Sequence, residues 1–441
     1  MKESVSAVFA TTSEVFFIKR QNYLSVFPGY YSTPGGKVDK SDSDIALDNP
    51  IFPQNISPKI LHALIRELRE ELNFDLLEAI NKGQVTAVDE IGVAITPEFN
   101  PYRFKNYYIK ITLTESINFD IDKNEAEFGE WNTPTTLLEK YELGHILAVP
   151  PAVTLLRTFK NSILHQTPIE MSLPYNPELE VPMIESLFGV RQFLPLSNTF
   201  PPALRTNSFI IGDDDQKKIL IDPSPKDRDE CEKFLRSVDK IGFDAILLTH
   251  HHRDHYEFSD EIAKKYNVPI YLSAYTLQAI GTEYFKGINT IILKDGDIIT
   301  KSLGHEVVIY EVPGHDEGQI ALATKSMSWF LAGDLIQTIG TVVIQAPEGN
   351  MQKYFNSLKR IINLNPKNII PSHGIIVGGI HKIEETLKHR EMRENQISEL
   401  LNLNKSVDEM ISLIYPGLET NLIPFARRTI EAHIVKIKIE N

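Results

Sequence analysis

The 441-residue sequence predicts a multi-domain α/β protein, on three observations. The chain exceeds the size at which one hydrophobic core usually stops growing, so two or three domains are expected. From about residue 207, strand-like and helix-like runs alternate, with antiparallel-looking pairs among them. Between the halves, 167–198 is rich in Pro and polar residues without a sustained period, which places the first domain boundary there.

In chain order, 4-SVSAVFA-10 and 14-EVFFIKR-20 read as strands around a polar turn. After 34-PGGKVD-39 and a polar excursion through 58, the run 59-KILHALIRELREELNF-74 reads as a helix. Residues 85–113 read as strands and 151–164 as a helix. Beyond the boundary, strands are expected at 207–212, 218–223, 245–250, 269–273, 306–312, 319–324 and 328–333. Helices are expected at 227–238, 256–267 and 352–364, and from about Gly379 the chain reads as mostly helical.

A formal charge of −14 excludes an indiscriminate nucleic-acid coat protein, because no broad positive field draws phosphates in. It leaves room for a polyanionic substrate, since bound cations supply local positive charge. One cysteine, Cys231, excludes an internal disulfide and a cysteine-rich zinc site. The start MKESVSAVFA lacks the features of a signal peptide, and no 18-residue apolar run exists. A soluble cytoplasmic protein without membrane association is therefore expected.

The stretch 249-THHHRDHYEF-258 follows a largely apolar run. On an extended strand end, side chains two apart share a face, so His250 and His252 can reach one ion together. Asp254 and His255 follow in a turn from which they can converge on a second ion. Four histidines and a carboxylate crowded there are poorly explained as core, since burying such groups unpaired costs roughly several kcal/mol each. Three later fragments also end strands: 312-VPGHDEG-318 with His315, 331-LAGDLI-336 with Asp334, and 370-IPSHG-374 with His373. Together they supply what a two-metal centre needs. His250, His252 and His315 would hold one ion and Asp254, His255 and His373 the other, with Asp334 bridging. Imidazole and carboxylate suit zinc, and also iron or manganese.

Residues from about 195 to 375 resemble the metallo-β-lactamase fold superfamily, whose signature is HxHxDH followed by His, Asp and His. The resemblance implies an αβ/βα sandwich and hydrolysis by a water between two Zn²⁺ or other divalent transition ions. Asp254 would orient that water or take its proton. The runs 333-GDLIQTIGTVVIQAPEGNMQKYFNSLKRI-361 and 381-HKIEETLKHREMRENQI-397 look like the β-lactamase-like protein 2 branch, close to glyoxalase II. That likeness implies a small helical, winged-helix-like C-terminal extension and an endoribonuclease acting on single-stranded RNA. Lys388, Arg390 and Arg393 could hold the RNA backbone, although 380–441 carries nine Lys/Arg against ten Asp/Glu, and a solvated helix face is the plainer reading. The alternatives are a thioesterase acting on acyl-CoA or another small ester, and a non-catalytic, metal-stabilised binding protein.

In 66-RELREEL-72, Glu67, Glu70 and Glu71 lie at i, i+3 and i+4 on one helix face. Hard oxygen ligands of this kind favour Mg²⁺ or Mn²⁺. The plainer reading is a solvated face neutralised by Arg66 and Arg69. With 35-GG-36 upstream and Phe74 downstream, the stretch resembles the Nudix box, REUxEExGU. That implies an α/β/α sandwich over roughly 1–165 whose glutamates, aided by Glu127 or Glu130 of 127-EFGEW-131, bind or cleave a nucleotide or CoA pyrophosphate. Arg66 would orient a glutamate. The spacing from Gly36 to Arg66 is longer than in the standard box, as in some peroxisomal CoA-type members. Pro58 stands where the box has glutamate, and Asn73 where it has glycine, a mild change because Asn tolerates left-handed backbone. Pro58 suits a first helical turn but removes a carboxylate. The expected organisation is 1–165 Nudix-like, 166–195 connecting, 196–378 hydrolase and 379–441 helical extension.

Overall fold

The computed structural model describes residues 1–98 and 103–440, so the part of the 85–113 strand reading at 99–102 lies outside the described residues. The chain divides into two compact units. One is Met1–Pro174 with Glu185–Phe188; the other is Tyr175–Ile184 and everything from Gly189 onward.

The first unit is built on a nine-stranded sheet. Its strand Lys2–Ala10 runs parallel to Phe104–Leu113, with Val5 opposite Tyr107 and Phe9 opposite Ile111. Alternate residues of a strand face opposite sides of a sheet. Val5, Ala7 and Phe9 accordingly pack with Ile60, Leu61, Leu64 and Leu68 of the helix Pro58–Leu72. Val8 and Ala10 pack on the other side with Leu137, Leu138, Leu155 and Leu156 of the helices Pro134–Glu142 and Pro150–Asn161. Helices therefore cover both faces. Pro58 takes the first helical position, where its missing N–H is harmless, and Asn73 closes the helix with φ 48° and its N–H on the Arg69 carbonyl.

In the second unit the strands Val190–Phe193, Ser208–Ile211, Ile219–Ile221, Ala245–Leu247, Ile270–Leu272 and Thr290–Ile292 follow one another in one sheet. A six-stranded sheet runs from Ile298–Ser302 to Val377–Gly378. The helices Arg228–Val238 and Ser259–Tyr266 bury Phe234, Val238, Ile262 and Ala263 on the first sheet. Met351–Leu364 buries Tyr354, Phe355, Leu358 and Ile361 on the second. The result resembles an αβ/βα sandwich.

Several expectations need correcting. The helix expected over 256–267 is two, Arg253–Tyr256 and Ser259–Tyr266, because Phe258 between them has φ 67°. The segment 166–195 contributes to both units and holds strands Ile169–Glu170, Met183–Leu187 and Val190–Phe193. Strands of two to five residues are too short to show a period. Beyond Gly379 the described residues form the α-helices His381–Asn402, Val407–Ile414 and Ile423–Glu440 around Ile397, Met410 and Ile430, with no strand and so no wing. No helix among the described residues is long and apolar enough to cross a membrane.

Candidate metal centre

The strand Ala245–Leu247 stops three residues before His250, so the expected strand end does not carry the histidines. They sit in the irregular segment beyond it, and two contacts fix that segment. The Thr249 N–H and hydroxyl donate to Asp222 at 2.8 and 2.6 Å. His252, in extended backbone, precedes the single helical turn that presents Asp254 and His255. His315 follows the strand His305–Glu311, Asp334 follows Phe330–Gly333, and His373 follows Asn368–Pro371.

These seven residues converge. His252 Nδ1 lies 2.9 Å from His250 Nε2 and 3.0 Å from His315 Nε2. Three imidazole nitrogens around a tetrahedral zinc, each at its usual bond length, would be about 3.3 Å apart. The observed spacing is close to that of a metal donor set. In the second group, Asp254 Oδ2 lies 3.8 Å from His255 Nε2 and 3.6 Å from His373 Nε2. Asp334 faces both groups, with Oδ2 3.7 Å from His315 Nε2 and 3.4 Å from His373 Nε2, and Oδ1 3.6 Å from His255 Nε2.

The donor set fits a pair of divalent cations on independent grounds. His255 Nε2 and Asp334 Oδ1 are buried and have no hydrogen-bond partner, a costly arrangement that a cation relieves. Burial holds His250 well below the ordinary histidine pKa and brings His315 down to about 4, so both stay neutral, the form that ligates metal. Burial would lower His255 too, but the carboxylates of Asp254, Asp334 and Asp222 outweigh it and hold it well above the ordinary value.

The outer nitrogens are also held. His255 Nδ1 lies 2.8 Å from Asp222 Oδ2, His315 Nδ1 2.9 Å from the Val343 carbonyl, and His373 Nδ1 3.0 Å from the Arg205 carbonyl. His250 Nδ1 lies 3.1 Å from the Thr249 hydroxyl. Such contacts set which nitrogen faces the metal. Asp222 is not among the residues the sequence singles out, although in 218-KILIDP-223 it directly follows a strand, as Asp334 does in 331-LAGDLI-336.

The residues suggested for RNA binding are differently disposed. Arg390 is buried, donates to the Val342 carbonyl and lies 5.7 Å from the Tyr354 ring centroid. Arg393 is half-buried, 4.5 Å from the Tyr415 ring centroid. Only Lys388 is exposed. Ile383, Leu387, Arg390 and Ile397 recur at helical spacing on the buried side of this helix.

In the first unit, Arg66 donates to Glu67 at 2.7 Å, Glu70 at 3.1 Å and Asp42 at 3.0 Å. Arg69 does not share this work; it pairs with Asp75. Glu71 is buried, accepts the Gly35 N–H at 2.9 Å and is pushed by burial up to about 8. A Cβ on Gly36 would lie 2.4 Å from Glu67 Oε1, so glycine there leaves space for that carboxylate. Glu127 and Glu130, one of which was expected to aid the trio, pair with Lys19 and Lys140, each at 2.7 Å. All the groups spaced to hold a metal among the described residues lie in the second unit.

Residues 201–373 match the family model of the Metallo-beta-lactamase superfamily. A Beta-lactamase-like protein 2 homolog of Drosophila melanogaster is 28% identical over 248 residues, 53% of this chain and 82% of the relative. A hydroxyacylglutathione hydrolase of Bdellovibrio bacteriovorus is 32% identical over 163 residues, 37% of this chain and 60% of the relative. Among solved structures, a beta-lactamase domain protein from Burkholderia ambifaria superposes with a TM-score of 0.51 at 17% identity, covering 60% of this chain and 90% of that one, which shows the fold alone. Residues 201–373 thus carry a metallo-beta-lactamase-fold hydrolase domain, whose His/Asp groups are spaced to hold two metal ions.

Proposed function

We propose that this hydrolase domain cleaves a thioester of a small acylated thiol, such as an acylglutathione or acyl-CoA. The carrying observation is the convergence of seven ligand side chains, with Asp334 facing both groups. His250, His252 and His315 would hold one ion, Asp254, His255 and His373 the other, and Asp334 both. Two zinc or similar divalent transition ions there would supply a water of lowered pKa and positive charge for the oxyanion of acyl transfer.

The chain's own residues do the rest. Asp254 is partly open to solvent and its Oδ2 faces the Thr206 hydroxyl at 3.3 Å, which holds the carboxylate where it can orient the attacking water and accept its proton. Asp222 keeps the His255 ring turned so that Nε2 faces the reacting side. A thiolate leaves readily because thiols ionise near pH 8.5, whereas a ribose alkoxide needs a proton donor. Two further points favour the thioester over RNA: the likeness to a hydroxyacylglutathione hydrolase, and the engagement of Arg390 and Arg393 in packing.

For the first unit we propose a Nudix-like role, in which Mg²⁺ or Mn²⁺ on Glu67, Glu70 and Glu71 holds the pyrophosphate of a nucleotide or CoA-type thiol. The room left by Gly36 and the grip of Arg66 on Glu67 and Glu70 support it, and Pro58 in place of a glutamate favours binding over cleavage.

The test is hydrolysis of an S-acylglutathione, an acyl-CoA and single-stranded RNA in parallel by zinc-loaded protein. Thioester turnover lost in Asp254→Ala and kept in Glu70→Ala is the expected result. RNA cleavage with the same dependence on Asp254, and no thioester turnover, would overturn the assignment.

A further inference from the structure

We propose that Glu348 is a positioning residue for the three-histidine metal group, carried on a loop at 342–349 that the C-terminal helices hold in place. This rests on the dinuclear reading above and concerns how the site is built rather than what it cleaves.

His252 turns Nδ1 toward His250 and His315, so its Nε2 points outward. Glu348 Oε1 lies 3.4 Å from that outer nitrogen. Glu348 Oε2 lies 3.4 Å from Nε2 of His251, the histidine between the two ligands, whose Nδ1 pairs with the fully buried Asp316. One carboxylate thus faces two histidines side by side. A carboxylate behind a ligating imidazole fixes the ring and raises the basicity of the coordinating nitrogen.

The same loop reaches a second ligand, because its Val343 carbonyl lies 2.9 Å from His315 Nδ1. Two of the three histidines in this group therefore have their outer nitrogens on one short segment. Close contacts shape it. The Gly349 N–H donates to the Gln345 carbonyl at 2.6 Å, and a Cβ on Gly349 would sit 2.8 Å from Gln345 backbone atoms. Gln345 donates to Glu348 through Nε2, and its Oε1 accepts from Arg428 Nη1 at 2.6 Å. Arg390 binds the Val342 carbonyl at the start of the loop. Arg390 and Arg428 come from the helices His381–Asn402 and Ile423–Glu440, so the helical extension buttresses the metal site from behind.

The test is uptake of Zn²⁺ and Co²⁺ by the full-length protein, wild type against Glu348→Gln, Glu348→Ala and Arg428→Met. It is read by competition with a chromophoric chelator and by the visible absorption of bound Co²⁺. Glu348→Gln keeps the side-chain volume, so the fold, checked by circular dichroism, is expected to survive. The expected result is two equivalents in the wild type and one of them held about 10- to 100-fold more weakly in Glu348→Gln. The Co²⁺ spectrum of that equivalent should change, and Arg428→Met should give a smaller effect in the same direction. Two equivalents at unchanged affinity and an unchanged spectrum in both Glu348 variants would overturn the proposal alone. Fewer than two equivalents in the wild type would overturn the dinuclear reading, and this proposal with it.

Discussion

Asp222 Oδ2 lies 2.8 Å from His255 Nδ1, and both side chains are buried. The same carboxylate accepts the Thr249 N–H and hydroxyl, so a single side chain anchors both the segment before His250 and the ring of His255. Asp222 itself sits at φ 46°, a left-handed backbone that costs an aspartate roughly 1 kcal/mol or more.

Removing that carboxylate leaves buried partners unmet. Asp222→Ala is expected to lower unfolding stability by about 3–5 kcal/mol in metal-free protein, measured by urea denaturation. Asp222→Asn keeps an acceptor and should lose less. A change under about 1 kcal/mol for the alanine variant would show that the three contacts carry little of the local order.

The seat of Glu67 on Gly36 separates folding from cation binding in the first unit. A Cβ at 36 meets the far end of the Glu67 side chain rather than backbone, so Gly36→Ala should cost about 1–3 kcal/mol of stability while displacing the carboxylate. Mn²⁺ uptake by the first unit, followed by calorimetry on the full chain, should weaken several-fold. Unchanged uptake would argue that Glu67 is not a ligand and that its ion pair with Arg66 is its whole role.

The third test is the acid limb of stability. Burial holds His433 below its ordinary 6.5, against the pull of Glu394 Oε2 at 3.0 Å from Nδ1, and Arg390 and Lys436 add to the lowering. Below pH 6.5 the unfolded chain binds a proton that the folded chain does not, so this contribution to stability is present at pH 7.5 and lost as pH falls through the folded value. His433→Gln keeps a donor toward Glu394 but cannot titrate. Its loss of stability between pH 7.5 and 5.5 should be smaller than the wild type's. Parallel curves for the two proteins would place the acid sensitivity elsewhere.

The sequence by itself determined the features that depend on near neighbours. The spacing of His250, His252, Asp254 and His255, the position of Asp334 behind an apolar strand, the first-turn Pro58 and the left-handed Asn73 are all local, and local order is what residue type and periodicity encode. Tertiary structure decided the rest. The outer partner of His255 lies 33 residues away, that of His315 28 away and that of His373 168 away, and no periodicity spans such gaps. Arg390 reads as a surface cation until the helix turns it onto the Val342 carbonyl and the Tyr354 ring. Glu127 and Glu130 read as candidate ligands or bases, and only the fold sets Lys19 and Lys140 beside them. A buried charge takes its role from the partners that folding brings to it, because unpaired it costs several kcal/mol, and those partners are fixed only once the sheets are packed.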